Sequence, residues 1–153
     1  DIIFFRQGIR GISVYWKEIT KNIREDNKFI VKELKLNKKE KLLRNVNYYL
    51  NETHVFHSSY FRISKNKHAI NVLTIHDCIH KKNFNLRNFL FHLFLIRKIK
   101  KSKVIICVSN VTKKDLEKYY KRYLPLRVEV IHNGISDNFV FKNFKREKTS
   151  ALD

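Results

Sequence analysis

The sequence predicts an α/β domain: a Rossmann-like parallel sheet with helices on both faces. Two segments, Ile70–Ile75 and Val104–Val108, are mostly apolar, which is typical of strands buried on both sides. Helical patterns alternate with the strand candidates. Apolar residues recur at spacings of three and four over residues 12–23, and helices are predicted at Leu86–Lys100 and Lys113–Tyr123. This alternation favours a parallel sheet, because parallel strands need a crossover between them.

The remaining elements follow from shorter patterns. Further strands are predicted at Ile2–Phe5, Phe29–Leu34, Thr53–His57 and Arg127–Ile131. The basic segment 38–44 reads as a loop or a weak helix. Thr112 and Asp115 have the spacing of a capping box and predict a helix N-terminus, and Pro125 follows that helix.

The charge of the chain is strongly positive. Its 153 residues suffice for one domain with a core, and 33 Lys and Arg against 14 acidic residues give a net charge of +19. Such a charge indicates a polyanionic neighbour: nucleic acid, an anionic membrane face or a phosphorylated substrate. Compositional drift of the source genome explains it equally well, because the chain is rich in Lys, Asn, Ile and Phe.

Cysteine content and hydropathy predict a cytoplasmic location. Cys78 and Cys107 are too few for a disulfide scaffold and are expected to be reduced thiols. No segment reads as a signal peptide. The longest apolar run, Phe89–Ile96, is interrupted by His92 and falls well short of the ~20 residues that span a bilayer.

Polar residues gather where the predicted strands end. In open parallel sheets, ligands bind outside the carboxyl ends of the strands, so these residues predict a binding crevice and an enzyme. The residues at these ends are Gly11, Ser58–Arg62, His76, Asp77, Ser109, Asn133 and Gly134.

Five segments, taken in order, carry a family resemblance. The most specific contains Val-Ser and then Thr-Lys-x-Asp-Leu. The segments are Gly11–Ser13, Ser59–Arg62, Thr74–Asp77, Lys103–Leu116 and Val128–Ile135. In order and spacing they resemble the N-terminal domain of family-four glycosyltransferases.

The resemblance implies a GT-B fold, in which two Rossmann-like domains face each other across a cleft. Residues 1–140 would be an incomplete N-terminal, acceptor-side domain, and residues 141–153 the start of a linker toward a donor-binding domain. Nothing after Phe144 resembles that second domain, and the family's Glu-x7-Glu-type donor element, which belongs to it, has no counterpart there. We therefore expect a fragment that is inactive by itself.

The resemblance also implies an activity. Such enzymes transfer a sugar from a nucleotide-sugar, generally with retention and without a metal or other cofactor. Many act on glycan or lipid-linked acceptors in lipopolysaccharide, capsule or other surface-polysaccharide biosynthesis. We expect a hexosyltransferase in the cytoplasm, peripheral to the inner face of the cell membrane.

His76 and Asp77 are the predicted catalytic residues. His76 follows a buried strand, where its ring or backbone would stabilise charge in an oxocarbenium-like transition state. The alternative is a partly buried structural histidine. Asp77 would orient His76, accept a proton from the acceptor hydroxyl, or simply cap the next turn.

Other strand-end residues are assigned to the two substrates. Gly11 would let the backbone approach a donor phosphate, with the first-turn amides of a helix pointing at it. Arg10 stands where the family commonly has Gly, and it would either bind that phosphate or obstruct it. Ser59, Tyr60 and Arg62 would contact the acceptor, with Arg62 in bidentate fashion; the alternative is a solvent-facing loop.

Ser109, Asn133 and Gly134 are predicted to shape the crevice. His76 and His80 flank Cys78 at a spacing that suggests zinc. The segment leaves a strand for a loop, however, and third and fourth ligands are lacking, so no metal is expected.

The Leu86–Lys103 segment combines an apolar stretch with basic residues. They are Arg87, Arg97, Lys98, Lys100, Lys101 and Lys103. The apolar part is predicted to be a core helix and the basic tail to lie against an anionic membrane surface. Two alternatives remain for the whole chain: a basic nucleic-acid-binding module, which steeply salt-dependent binding to single strands would reveal, or an inactive truncated gene product.

Overall fold

Four parallel strands and three α-helices make up the part of the chain that the computed structural model describes, namely residues 11–26, 28–31, 54–59, 62–78 and 86–134. The elements in chain order are α1 (Gly11–Glu25), β1 (Val55–Ser59), β2 (Ile70–Ile75), α2 (Leu86–Lys101), β3 (Val104–Cys107), α3 (Asn110–Tyr120), a short 3-10 turn (Lys121–Tyr123) and β4 (Arg127–Val130). None of these helices is long and apolar enough to cross a membrane.

The strands lie in the order β1-β2-β3-β4 and every pair is parallel. Ser59 pairs with Thr74 in the register of β1 and β2, and Thr74 pairs with Ile106 in the register of β2 and β3. The carboxyl ends of β1, β2 and β3 therefore finish side by side. This arrangement confirms the predicted α/β, Rossmann-like fold.

Helix α1 covers one face of the sheet. Successive residues of a strand point to opposite faces, so His57, Ser59 and Thr74 share a face. Tyr15 and Trp16 of α1 contact all three of these side chains. The predicted apolar stripe of α1 therefore reaches the sheet through its two aromatic residues.

Helices α2 and α3 cover the other face. Both crossovers step in the same direction across the sheet, and right-handed connections then place both helices on one side. The core between these helices and the sheet includes Leu73, Ile75, Leu95, Ile99, Ile105, Cys107, Leu116 and Tyr120. Tyr120 also bonds across to α2, where its hydroxyl lies 2.8 Å from His92 Nδ1.

Most of the predicted element bounds agree with the structure, with two exceptions among the strands. The strand expected at Thr53–His57 lies two residues later, because its pairing with β2 begins at Val55. Residues 29–31 form no strand, and Phe29 and Ile30 are exposed there. The predicted elements at Ile2–Phe5 and 38–44, and residues 32–34, lie outside the described residues.

The predicted capping box was wrong, because α3 begins three residues before Lys113. Ser109 is the N-cap: its backbone is extended and its hydroxyl accepts a hydrogen bond from the Thr112 amide at 3.1 Å. Thr112 is itself inside the helix and buried. The cap therefore sits directly at the end of β3, which makes the turn from strand to helix tight.

Replacing Leu116 with alanine should lower the free energy of unfolding by about 2–5 kcal/mol, because it leaves a cavity under α3. Leu116 is fully buried, whereas Val111 on the same helix is 69% exposed. Val111→Ala is therefore the matched control and should change stability by no more than about 0.5 kcal/mol. Urea unfolding measures both, and equal losses would contradict the placement of the core.

Candidate active site

The candidate site lies at the carboxyl edge of the sheet. Ser59 ends β1, His76 follows β2, and Ser109 follows β3. Helix α1 begins at this edge too, because Tyr15 and Trp16 near its start contact residues at the ends of β1 and β2. The edge thus collects a helix N-terminus and several polar side chains.

A chain of hydrogen bonds holds the imidazole of His76. The indole Nε1 of Trp16 donates to Ser59 Oγ at 3.1 Å, and Ser59 Oγ lies 3.1 Å from His76 Nε2. Trp16 and Ser59 are both buried, whereas His76 is partly exposed. The ring of Tyr15 meets that of His76 edge to face, with centroids 4.9 Å apart. These contacts fix the ring at the boundary between core and solvent.

A second histidine lies behind the first. His57 Nε2 is 2.8 Å from Thr74 Oγ1, and the same hydroxyl is 3.2 Å from the Tyr15 hydroxyl. The His57 ring packs edge to face against Trp16 at 4.8 Å. Both sets of hydrogen bonds include an aromatic residue of α1, Trp16 in the first and Tyr15 in the second. Polar contacts as well as packing therefore join α1, β1 and β2.

Burial keeps both imidazoles neutral. It lowers the pKa of His57 from 6.5 to about 4, and the nearby His76 acts in the same direction. Burial also lowers the pKa of His76 to about 4, although Asp77 opposes this shift. Burial thus favours the neutral form of the His76 ring, which can both donate and accept a hydrogen bond.

The backbone of His76 is held from β3 and α3. The Thr112 hydroxyl donates to the carbonyl of His76 at 3.1 Å, and it also lies 2.9 Å from the Ser109 hydroxyl. The Val108 amide donates a hydrogen bond to the carbonyl of Ile75, the residue before His76. Ser109, predicted to shape the crevice, is the N-cap of α3 and takes part in this contact.

The other predicted site residues are distributed unevenly. Asp77 lies beside His76 and is partly buried. Gly11 is exposed at the first position of α1, and among the described residues a Cβ there would meet no atom within 4 Å apart from its chain neighbours and the backbone of its own helix. Asn133 and Gly134 are exposed beyond β4. Arg10 and Tyr60 lie outside the described residues.

Arg62 is fully buried, so the alternative of a solvent-facing loop was wrong for this residue. Its carbonyl accepts a hydrogen bond from the Ser58 hydroxyl at 2.5 Å. Ser58 faces away from Ser59, because adjacent strand residues point to opposite faces. The backbone of Arg62 therefore lies on the side of β1 opposite Ser59, and its charge acts on Lys98 of α2.

Sequence reasoning missed His57, Thr74 and Thr112 as members of the site. His57 and Thr74 stood inside strand patterns, and only their register with Ser59 and the approach of α1 bring them together. Across the described residues, no group of three or more His, Cys, Asp or Glu is placed to hold a metal ion. His80, the second histidine of the possible zinc spacing, is not among them.

Acidification should destabilise the fold through the two partly buried histidines, His57 and His76. Between about pH 6.5 and about pH 4 the unfolded chain takes up protons that the folded chain does not, so the free energy of unfolding falls as pH falls. Urea unfolding across this range measures the slope. His57→Gln should reduce this slope by the equivalent of up to about one bound proton. His68→Gln, at an exposed histidine, is the control. A slope for His57→Gln equal to that of the wild type would contradict the burial of His57.

The chain also shows a family relationship. The family model for Glycosyltransferase Family 4 matches residues 33–139, more than half of the chain. The match contains Ser59, His76 and Ser109, whereas Gly11 lies before it. Neither a curated protein nor a solved structure is significantly similar to the chain. The parallel sheet, its polar carboxyl edge and this match together establish that the chain belongs to glycosyltransferase family 4 and is similar to the family's N-terminal domain.

Proposed function

We propose that the chain is the acceptor-side half of a nucleotide-sugar-dependent hexosyltransferase, and that its strand-end crevice takes the reacting sugar. The observation that carries the proposal is the His76 imidazole, held by Ser59 at the carboxyl edge of a family 4 domain. In this proposal a second Rossmann-like domain supplies most of the donor contacts.

His76 acts in the proposal as a hydrogen-bonding group beside the reacting sugar. A protonated imidazole would repel the positive charge of an oxocarbenium-like transition state, whereas a neutral ring does not. The low pKa of His76 argues against a general base, which works best with a pKa near the operating pH. Asp77, next in the chain, adds negative charge that favours the developing cation.

Gly11 and the N-terminus of α1 are proposed to receive a donor phosphate. The first turn of α1 carries no acidic side chain, so no negative charge in that turn opposes an anion at the positive end of the helix dipole. The space around Gly11 permits close approach of the backbone to a ligand. Arg10 would add a cation there.

The finer features of the activity belong to the same proposal. They are retention of configuration, independence of a metal, an acceptor that is a glycan or lipid-linked, and a role in surface-polysaccharide biosynthesis. Residues 1–140 would form the acceptor domain, with 141–153 leading toward the donor domain. Ser59 and Tyr60 would contact the acceptor, and the protein would work peripherally at the inner membrane face.

Sugar transfer from UDP- and GDP-sugars to membrane extracts tests the proposal on the product of the complete reading frame. His76→Ala should lower the rate by about 10²–10³-fold, because it removes a fixed polar group beside the transition state. His68→Ala is the control, because His68 is exposed and precedes β2 at the opposite edge of the sheet. No transfer from any donor, or equal loss in both variants, would overturn the proposal. Transfer by residues 1–153 alone would overturn only its two-domain part.

Ser59 should act as a positioning residue through His76. Ser59→Ala removes the hydroxyl that joins Trp16 to His76 and should lower kcat by about 10–100-fold with little change in KM. Ser59→Thr, which keeps the hydroxyl, should restore much of the rate. Ser102→Ala is the matched control: it also removes a buried hydroxyl, one that bonds the Lys98 carbonyl at the end of α2. A purely structural role would leave kcat intact in the folded enzyme.

A further inference from the structure

The outward side of α2 carries an apolar stripe that ends in basic residues. Residues at spacings of three and four lie on one side of a helix. Along α2 this side carries Leu86, Phe89, Leu90, Leu93 and Phe94, which are 37–74% exposed, although the sequence predicted them in the core. The stripe continues into the exposed Arg97, Lys100 and Lys101. We call these eight residues the α2 stripe.

The inward side of α2 packs against the sheet and carries the buried residues of this helix. Leu95 and Ile99 are buried against the sheet, and Lys98 is buried beside them. Burial, together with the charge of nearby Lys101, lowers the pKa of Lys98 to about 8. Lys98 thus does not belong to the outward charge. The exposed leucines and phenylalanines lie outside the core that the described residues form, and an apolar patch of this kind marks an interaction surface.

We propose that the α2 stripe docks on an anionic lipid bilayer, with α2 lying in the plane of the interface. Leucine and phenylalanine side chains on one side of an interfacial helix insert into the boundary between headgroups and acyl chains. The adjoining cations bind anionic headgroups. Helix α2 contains no acidic residue, so nothing along it opposes this attraction.

Charge complementarity decides between a bilayer and a second copy of this chain. The chain has a net charge of +19, and pairing two α2 stripes would bring their cations together. Like charges at an interface disfavour association. An anionic bilayer is the partner that satisfies both the apolar and the basic part of the stripe.

The orientation of α2 gives this docking a consequence for the site. The helix follows β2 and precedes β3, so it runs from the carboxyl edge of the sheet to the amino edge. Its apolar half therefore begins at the edge that carries His76. Docking would place the crevice close to the membrane, where a lipid-linked acceptor would be found. This last step rests on the proposed function, whereas the docking itself does not.

Vesicle binding by the full-length protein tests the inference without any sugar donor or acceptor, so its result is independent of transferase activity. The protein should cosediment with mixed phosphatidylcholine–phosphatidylglycerol vesicles and much less with phosphatidylcholine alone. Leu90→Gln with Leu93→Gln should weaken binding by about tenfold or more. Arg97→Gln with Lys101→Gln should weaken it by about fivefold for each cation removed.

Matched controls come from α3, which also carries exposed residues. Val111→Gln replaces an exposed apolar residue, and Lys114→Gln with Lys118→Gln removes two exposed cations from a different helix. These variants should bind within about twofold of the wild type, apart from long-range attraction that salt screens. If the Lys114 and Lys118 variant loses as much binding as the Arg97 and Lys101 variant, general charge rather than the α2 stripe attracts the protein, and the inference fails.

A reporter on the stripe separates lipid from other occupants. Leu93→Trp should emit as an exposed indole in buffer and shift to the blue with anionic vesicles, over the constant signal of the buried Trp16. A buried spectrum before lipid is added would mean that another part of the protein covers the stripe. A shift with single-stranded oligonucleotide but not with vesicles would assign it to nucleic acid. Either result overturns the inference, and thermal melting of each variant establishes that it is folded.

Discussion

The level pairing of β1, β2 and β3 is the constraint on which the site depends. Because the strands are parallel and Ser59 lies beside Thr74, the residue after β2 comes within reach of the last residue of β1. The tight turn capped by Ser109 then lets Thr112 hold the backbone of His76 from the other side. A shift of one residue in the register would turn Ser59 to the opposite face and separate it from His76.

Polar contacts between α1 and the sheet set the chemistry of this edge. Trp16 and Tyr15 each combine a large apolar ring with one polar group, an indole N–H in Trp16 and a hydroxyl in Tyr15. Each polar group hydrogen-bonds to a side chain of a strand. Such amphipathic aromatics can be buried because their polar atoms find partners. The same burial lowers the pKa of both histidines, so the packing that fixes the His76 ring also keeps it neutral.

The two faces of the sheet carry different surfaces. On the face that α1 covers, aromatic and histidine side chains pack together close to the carboxyl edge of the sheet. On the other face, α2 and α3 complete the core with their inward residues, and α2 presents leucine, phenylalanine and cations outward. The site and the α2 stripe thus belong to different sides of one domain, and the sheet edge at the start of α2 connects them.

The sequence by itself determined the parallel α/β fold and the edge that carries the candidate site. Apolar strands alternating with helices leave few topologies, and the carboxyl ends of such strands meet at one edge whatever the details of packing. His76, Ser59 and Ser109 could therefore be placed at one edge from their positions after strand patterns.

Only the tertiary structure decided what each side chain meets. The burial of Arg62, the partnership of His57 with Thr74 and the choice of Ser109 over Thr112 as the cap all depend on neighbours distant in sequence. The exposure of Leu90 and Leu93 does so as well. An apolar run is equally compatible with a core helix and with a helix that faces outward, because periodicity reveals a side of a helix but not what covers it.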